Sequence, residues 1–375
     1  MALKVGIVTE YYYPLLGGIS ENVHHTATEL RARGHSVTII TSTPPPQAAA
    51  RVTMPNGVPT VRVGRSVTFS GNGAKANATL GGIQLWKDLH TALHAERFDI
   101  LQLHSPLNFT LPPLAALQGP WPRVGTFHSY FDRSLVYAVF AKLLQREFLR
   151  RLHGMTVVSP SVALALSRYF EFNARIIPNG IDTRQFHPGA PRFDRFNPEK
   201  RTLLFLGRFD PRNGLPFMLR AFTLVRRRLD DVRLVIVGAG DRRAYEPLVP
   251  ARLRGDVHFE GPALSDRPRY YATADIFCSP ISRASFGITL LEAMATATPI
   301  VATENIGYRD LLGPAEGVLA PYNEERFASI IVELLNDDRR RRDLGAAGRR
   351  KAELYAWPVV VSLLLDYFHE ILSKT

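Results

Sequence analysis

Short apolar runs alternate with amphipathic helical stretches along this chain, and the series runs through twice. Parallel strands need a crossover connection between them, usually a helix. The alternation therefore commits the chain to α/β architecture, with parallel sheets covered on both faces. The first series opens with a strand at Lys4–Thr9 and a helix at Ser20–Arg33, whose Val23, Ala27 and Leu30 share one face. Gly34 then supplies a stop. Strands follow at His35–Thr41, Val58–Val63, Ile100–His104, Val124–Phe127, Met155–Val158 and Ala174–Ile177, with a helix at Gln84–His94. Ser70–Ala78, rich in Gly, Asn and Ala, reads as a mobile loop. Pro188–Lys200, proline-rich and polar, reads as a linker. Beyond it, Leu203–Leu206, Arg233–Val237, Val257–Glu260, Ile276–Ser279 and Pro299–Ala302 continue as a second sheet. Helices are predicted at Leu215–Arg228 and Thr289–Ala297, and a long amphipathic one at Val359–Lys374. Ligands of such sheets bind beyond the carboxyl ends of the strands.

Composition sets the limits. The 375 residues suit two domains. A single cysteine, Cys278, excludes an intrachain disulfide, and no Cys/His cluster has zinc spacing. No apolar stretch approaches the roughly 20 residues of a membrane-spanning helix. Met1–Val8 is too short for a secretory segment and reads as the first strand, so a cytoplasmic protein is expected. Of the net charge of +12, most falls on residues 1–195, with 20 Lys and Arg against 11 Asp and Glu. Such a balance points to an acidic partner (anionic lipid, phosphorylated acceptor or nucleic acid) or serves solubility alone. The arginine runs Arg226–Arg228 and Arg339–Arg342 have acidic neighbours and no interleaved aromatics, so they read as solvated helix faces and no nucleic-acid partner is expected. Phe140–Arg151 is basic and amphipathic. It reads either as a peripheral contact with an anionic membrane surface or as a domain helix with its apolar stripe in the core.

Four segments could carry chemistry. Pro14–Gly18 lies between the first strand and helix, where glycines let backbone approach a ligand and the helix presents unpaired N–H groups to an anion. Gly125-Thr126-Phe127-His128-Ser129 puts a histidine just past an inner strand. Gly207-Arg208-Phe209-Asp210 leaves the first strand of the second series, and an arginine there can grip a phosphate with two N–H groups. Ser285-Phe286-Gly287-Ile288 runs as a turn into the helix bearing Glu292, offering backbone N–H groups and a positive helix end to a diphosphate.

Together, in this order and spacing, these segments resemble a family-4 retaining glycosyltransferase of the GT-B fold. Ile177-Pro178-Asn179-Gly180-Ile181-Asp182, Val237-Gly238-Ala239-Gly240 and Tyr355-Ala356-Trp357 add to the likeness, which covers almost the whole chain. Within the family the chain is most similar to bacterial phosphatidylinositol mannosyltransferases. The resemblance implies two Rossmann-like domains facing across a cleft. Residues 1–190 would bind the acceptor and 191–357 the nucleotide sugar, with helix 358–375 packing back on the first domain. It implies His128, Arg208 and Glu292 as the catalytic set. Gly18 and Arg208 would meet the donor phosphates, supported by Ser285 and the amides of Phe286, Gly287 and Ile288. Glu292 would hold the ribose, and backbone at Gly261 and Leu264 would read the base. Arg133 would bind an acceptor phosphate and Tyr11 would stack on the acceptor, with Ser20 and Ser129 beside it.

Three positions depart from the family pattern: Ala284 replaces a glutamate, Asn213 replaces a lysine, and Ser20 replaces a glutamine. The expected activity is transfer of a hexose, mannose or glucose, from a GDP- or UDP-sugar to a hydroxyl acceptor, with no cofactor and no metal. A phospholipid or other phosphorylated molecule is the acceptor the basic half suggests. The alternative is a catalytically impaired relative that binds nucleotide or serves as a partner subunit.

Overall fold

The computed structural model describes residues 2–15, 17–45, 57–71, 74–107, 110–263 and 265–375. The chain divides into two compact units, Met1–Gly180 with Trp357–Thr375, and Ile181–Ala356.

The first unit is built on eight strands: β1 (Lys4–Thr9), β2 (Ser36–Thr43), β3 (Thr60–Gly71), β4 (Ala74–Leu80), β5 (Ile100–His104), β6 (Arg123–Phe127), β7 (Gly154–Val157) and β8 (Arg175–Ile176). Their order in the sheet is β4-β3-β2-β1-β5-β6-β7-β8, parallel throughout except for the antiparallel β3–β4 pair. Its helices are α1 (Gly18–Ala32), α2 (Gly82–His94), α3 (Leu111–Ala116), α4 (Leu135–Glu147) and α5 (Pro160–Ser167). The second unit has β9 (Arg201–Leu206), β10 (Val232–Val237), β11 (Val257–Glu260), β12 (Ile276–Ser279), β13 (Ile300–Thr303) and β14 (Val318–Ala320). They form an all-parallel sheet ordered β11-β10-β9-β12-β13-β14. With it go α6 (Leu215–Val225), α7 (Arg267–Thr273), α8 (Ile288–Ala295), α9 (Ile306–Leu311), α10 (Glu324–Leu335) and α11 (Asp338–Glu353). Strands β5, β6, β10, β12 and β13 are buried at every position. That is why they read as continuous apolar runs rather than alternating ones.

Helix starts sort into two kinds. Ser134, Ser159, Asn305, Asn323 and Asp337 each accept a backbone N–H at the start of α4, α5, α9, α10 and α11. In contrast, α1, α2, α6 and α8 are entered from Gly17, Gly81, Gly214 and Gly287, and no side chain caps them. At α1 and α8 these uncapped starts coincide with the two glycine turns that the sequence marks for an anion.

Three sequence expectations are revised. The stretch read as a mobile loop at Ser70–Ala78 falls instead in the β3–β4 hairpin, where Ser70 pairs with Lys75 and Gly71 with Ala74. The Asn-Gly dipeptide that separates the strands in sequence is a hairpin signal that its polar composition obscured. The linker read at Pro188–Lys200 packs on the second unit. Phe193 and Phe196 are buried there, and the Arg192 guanidinium donates to the Ala272 carbonyl at 2.7 Å. Residues 181–190, assigned from sequence to the first domain, also pack with the second. Phe186 packs on Tyr271, and Arg349 donates to the carbonyl of Phe186 at 3.0 Å.

The terminal helix α12 (Trp357–Leu372) belongs to the first unit. Trp357, Val361, Leu364 and Phe368 join Ile7, Val23 and Ile39 in one core. Tyr367 Oη accepts the Met155 N–H at 3.0 Å. Truncating the fully buried Phe368 to alanine should therefore cost about 3–5 kcal/mol in urea unfolding of the first unit. A loss under 1 kcal/mol would show that α12 contributes little to this core.

Candidate functional site

Adjacent parallel strands of the first unit end in polar side chains at one edge. Thr9 and Glu10 close β1, His104 closes β5, and His128 follows β6. The register sets His104 opposite Thr126, two residues before His128. The two histidines meet: His104 Nδ1 lies 2.8 Å from His128 Nε2, with the rings stacked at 5.0 Å and 14°. Both are buried, His104 at 1% exposure and His128 at 8%. Burial holds His128 down to a pKa of about 4, and burial together with the neighbouring His128 puts His104 well below its ordinary value. Both imidazoles are therefore neutral at pH 7, and one donates to the other.

Which one donates follows from the far side of His104. Its Nε2 is buried without a partner. A stranded N–H is rarer in folded proteins than an under-used acceptor. The tautomer that strands no N–H among the described residues carries the His104 proton on Nδ1, donated to His128 Nε2. His128 then keeps its own proton on Nδ1, and the side chain presents a hydrogen-bond donor rather than a base. Sequence reading found His128 and missed His104. The signal was present, since both histidines close inner strands, but only strand pairing shows that they touch.

Glu10 was also missed. It is 1% exposed, and its Oε1 accepts from the Thr110 hydroxyl and from the Leu111 N–H at 2.7 Å, closing the start of α3. Burial raises its pKa, and Oε2 has no partner. Next to it, Tyr11 is half-buried and its hydroxyl accepts the Asn77 N–H at 3.3 Å. Ser20 is buried and gives its hydroxyl to the Leu15 carbonyl at 2.5 Å, so it shapes the glycine loop from within. Gly17 and Gly18 are exposed, and a side-chain carbon added at Gly17 would meet nothing. Ser129 and Arg133 are exposed as well.

The second unit gathers its predicted residues around β9 and β12. Arg208 follows β9, is half exposed and pairs with Asp210 at 2.8 Å. Asn213 is buried, and its amide donates to the Arg208 carbonyl at 2.7 Å, which fixes the loop that carries the arginine. Gly214 then turns at φ 74, and any side chain there would strike the Pro280 carbonyl after β12. Arg212, which sequence reading passed over, stands exposed in the same loop. Its crowded surroundings, and next the cation of Arg208, lower its pKa. Arg208 pairs with Asp210, and the charges of both act on Arg212.

Gly287 enters α8 at φ 118 and lies against the Tyr308 ring. Tyr308 is fully buried and bonds Ser279 Oγ at 2.6 Å, which sets its ring between the end of β12 and the α8 turn. Ser285 and Ile288 are half-buried, and Phe286 is buried near Tyr355. Ala284 presses its carbonyl against Gly307. Gly261 is exposed, whereas Leu264 lies outside the described residues.

Glu292 sits one turn into α8 at 1% exposure. Its Oε1 accepts from Arg267 Nη1 at 2.6 Å and its Oε2 from Tyr271 Oη at 2.8 Å. Neither partner was visible in the sequence, because α7 approaches α8 only in the folded unit.

Similarity to known proteins follows the two units. Residues 16–185 match the family model Glycosyltransferase Family 4, and residues 200–337 match Glycosyl transferases group 1. The chain is 31% identical to a phosphatidyl-myo-inositol mannosyltransferase of Mycolicibacterium smegmatis, across 98% of this chain and 94% of that one. It is 26% identical to an alpha-monoglucosyldiacylglycerol synthase of Streptococcus pneumoniae, across 89% of this chain and 78% of that one. Among solved structures, a sucrose-phosphate synthase of Thermosynechococcus elongatus aligns with a TM-score of 0.77 over 100% of both chains at 20% identity, a likeness of fold.

Two outcomes test this geometry. In the unfolded chain His128 regains the ordinary value of 6.5, so between pH 6.5 and about 4 the unfolded state holds a proton that the folded state refuses. Stability should therefore fall as pH drops through that window, by up to about 3 kcal/mol from this group. Urea midpoints measured from pH 7.5 to 4.5 should decline less steeply in His128→Asn; an unchanged slope would refute the buried neutral imidazole. Separately, Arg267→Met strands the Glu292 carboxylate and should cost roughly 3–5 kcal/mol. A midpoint shift within error would mean that the pair does not hold α7 on α8.

Proposed function

This chain belongs to the family 4 glycosyltransferases and is a hexosyltransferase with a GT-B fold, and we propose that it moves mannose or glucose from a nucleoside diphosphate sugar to a hydroxyl of an anionic phospholipid. The observation that carries the reading is the pair of cations Arg208 and Arg212 on the loop after β9, in a unit whose helix α8 starts uncapped at Gly287 against the Tyr308 ring. The lysine of the family pattern is absent at Asn213, and Arg212 supplies a second positive charge one residue earlier. Relatives named for phosphatidylinositol and diacylglycerol acceptors support a lipid acceptor, and their mannosyl and glucosyl names support a hexose.

In the reaction we propose, the bond from the anomeric carbon to the diphosphate breaks. The charge left on the diphosphate is stabilised by Arg208, Arg212 and the N–H groups that begin α8. The acceptor oxygen bonds to the anomeric carbon on the leaving-group face, keeping the configuration, and its proton passes to the departing phosphate. No protein nucleophile and no metal takes part. His128, as a donor through Nδ1–H, orients a substrate hydroxyl or carbonyl rather than removing a proton.

Peripheral membrane contact at the cytoplasmic face belongs to the same reading. No helix among the described residues is long and apolar enough to cross a membrane. Helix α4 instead has no buried residue, and Leu135, Val139, Phe140 and Leu143 lie at least half exposed with Lys142 and Arg146 beside them. This supports the membrane reading of that stretch over the core-stripe reading.

Incubation with GDP-mannose or UDP-glucose and anionic phospholipid vesicles should yield a glycolipid, undiminished by EDTA. Arg208→Ala should lower kcat/KM roughly 100- to 1000-fold, as loss of a main leaving-group contact does. Absence of both glycolipid and free hexose with every donor, or full activity in Arg208→Ala, would refute the proposal.

A further inference from the structure

The first unit contains an apolar cleft of about 360 Å3 between α4 and the segments that follow β5 and β6. Val136, Tyr137 and Leu144 of α4 form one wall, with Phe148 just beyond the helix, and Pro106 and Phe131 form the other. Pro106 lies two residues past His104, and Phe131 three past His128, so the cleft begins at the strand ends that carry the histidine pair. Arg133 stands at its rim. Its guanidinium is exposed, and no carboxylate pairs with it among the described residues. The remaining polar contributions are small: Ser134 caps α4, and the Tyr137 hydroxyl belongs to an aromatic group with Phe131, Tyr169 and Phe170.

A cleft with apolar walls and a single unpaired cation at its mouth suits a ligand with an apolar body and an anionic end. The outer face of α4 continues the apolar surface from the cleft toward solvent through Leu135, Val139 and Phe140. A chain drawn from a bilayer would therefore stay covered along its path. From these observations we infer that the cleft between α4 and the β5 and β6 ends receives one acyl chain of the lipid acceptor, its mouth lying at Arg133, the residue that the family resemblance already sets against the acceptor phosphate. This rests on the lipid-acceptor reading above and adds to it: the acceptor is partly withdrawn from the membrane rather than met at its surface.

The inference makes chain length a measurable contributor to affinity. Monomeric phosphatidylglycerol is the probe, as glycerophosphoglycerol and as the dihexanoyl and dioctanoyl lipids, all below their micelle concentrations, with calorimetry on the full chain. With one chain in the cleft, the two added methylenes between hexanoyl and octanoyl should tighten binding roughly tenfold. Val136→Glu, at a half-exposed position on the cleft wall, should abolish that gain while circular dichroism stays unchanged. Arg133→Ala should weaken every ligand by a similar factor and keep the gain, whereas inorganic phosphate should bind no more tightly than glycerophosphoglycerol. Equal affinity across the three ligands, or a gain that survives Val136→Glu, would overturn the inference. Transfer assays separate the two levels. Glycolipid formation with no preference for acylated over deacylated acceptor sinks the cleft and leaves the transferase standing. Chain-length-dependent binding without any transfer does the reverse.

Discussion

Parallel pairing makes the strands of each sheet end at a common edge, and the chemistry of this protein depends on that constraint. In the first unit β1, β5 and β6 are neighbours, so Glu10, His104 and His128 arrive close together although more than a hundred residues separate the first from the last. In the second, β9 and β12 are neighbours, and the loops leaving them meet where the Ser282 N–H donates to the Arg212 carbonyl at 3.1 Å, with Tyr308 packed between Ser279 and the start of α8. Nothing local to any of these segments would assemble them. The apolar strands, buried on both faces, supply the rigidity with which the polar ends are held.

Burial then decides what each group can do. Two neutral imidazoles share one proton contact, and donation from His104 is the direction that leaves no N–H stranded at its unpartnered Nε2. In the second unit the balance is reversed. Arg208 and Arg212 remain at the surface and Asp210 pairs with Arg208 alone, a shortage of negative charge that a diphosphate would relieve. Glu292 lies deeper, its two oxygens engaged by Arg267 and Tyr271. A ribose contact there would have to be made by a carboxylate already bonded on both oxygens, which directs attention to the backbone of α8 as the more accessible part of the site.

Helix α4 shows what burial adds to an amphipathic sequence. Its sequence was compatible with a core helix or a membrane-facing one. The folded unit buries none of its residues completely and leaves Leu135 at 85% exposure. Such a stripe is costly in water and suits an apolar phase.

Much was legible in the chain itself. Alternating apolar runs and amphipathic stretches determined the two parallel sheets, because strand and helix periods are written directly into side-chain order. The glycine loop, the histidine after β6, the arginine after β9 and the turn into α8 were marked by residue types that those chemistries require. Loop composition misled at β3–β4 and at Phe193–Phe196, where pairing partners and aromatic packing outweighed local polarity. Only the tertiary structure could give His104 to His128, Arg267 to Glu292, Arg212 to Arg208 and the outer face of α4 to solvent. Contacts between residues distant in sequence, and the burial that shifts a proton, are properties of the packed chain, and no periodicity encodes them.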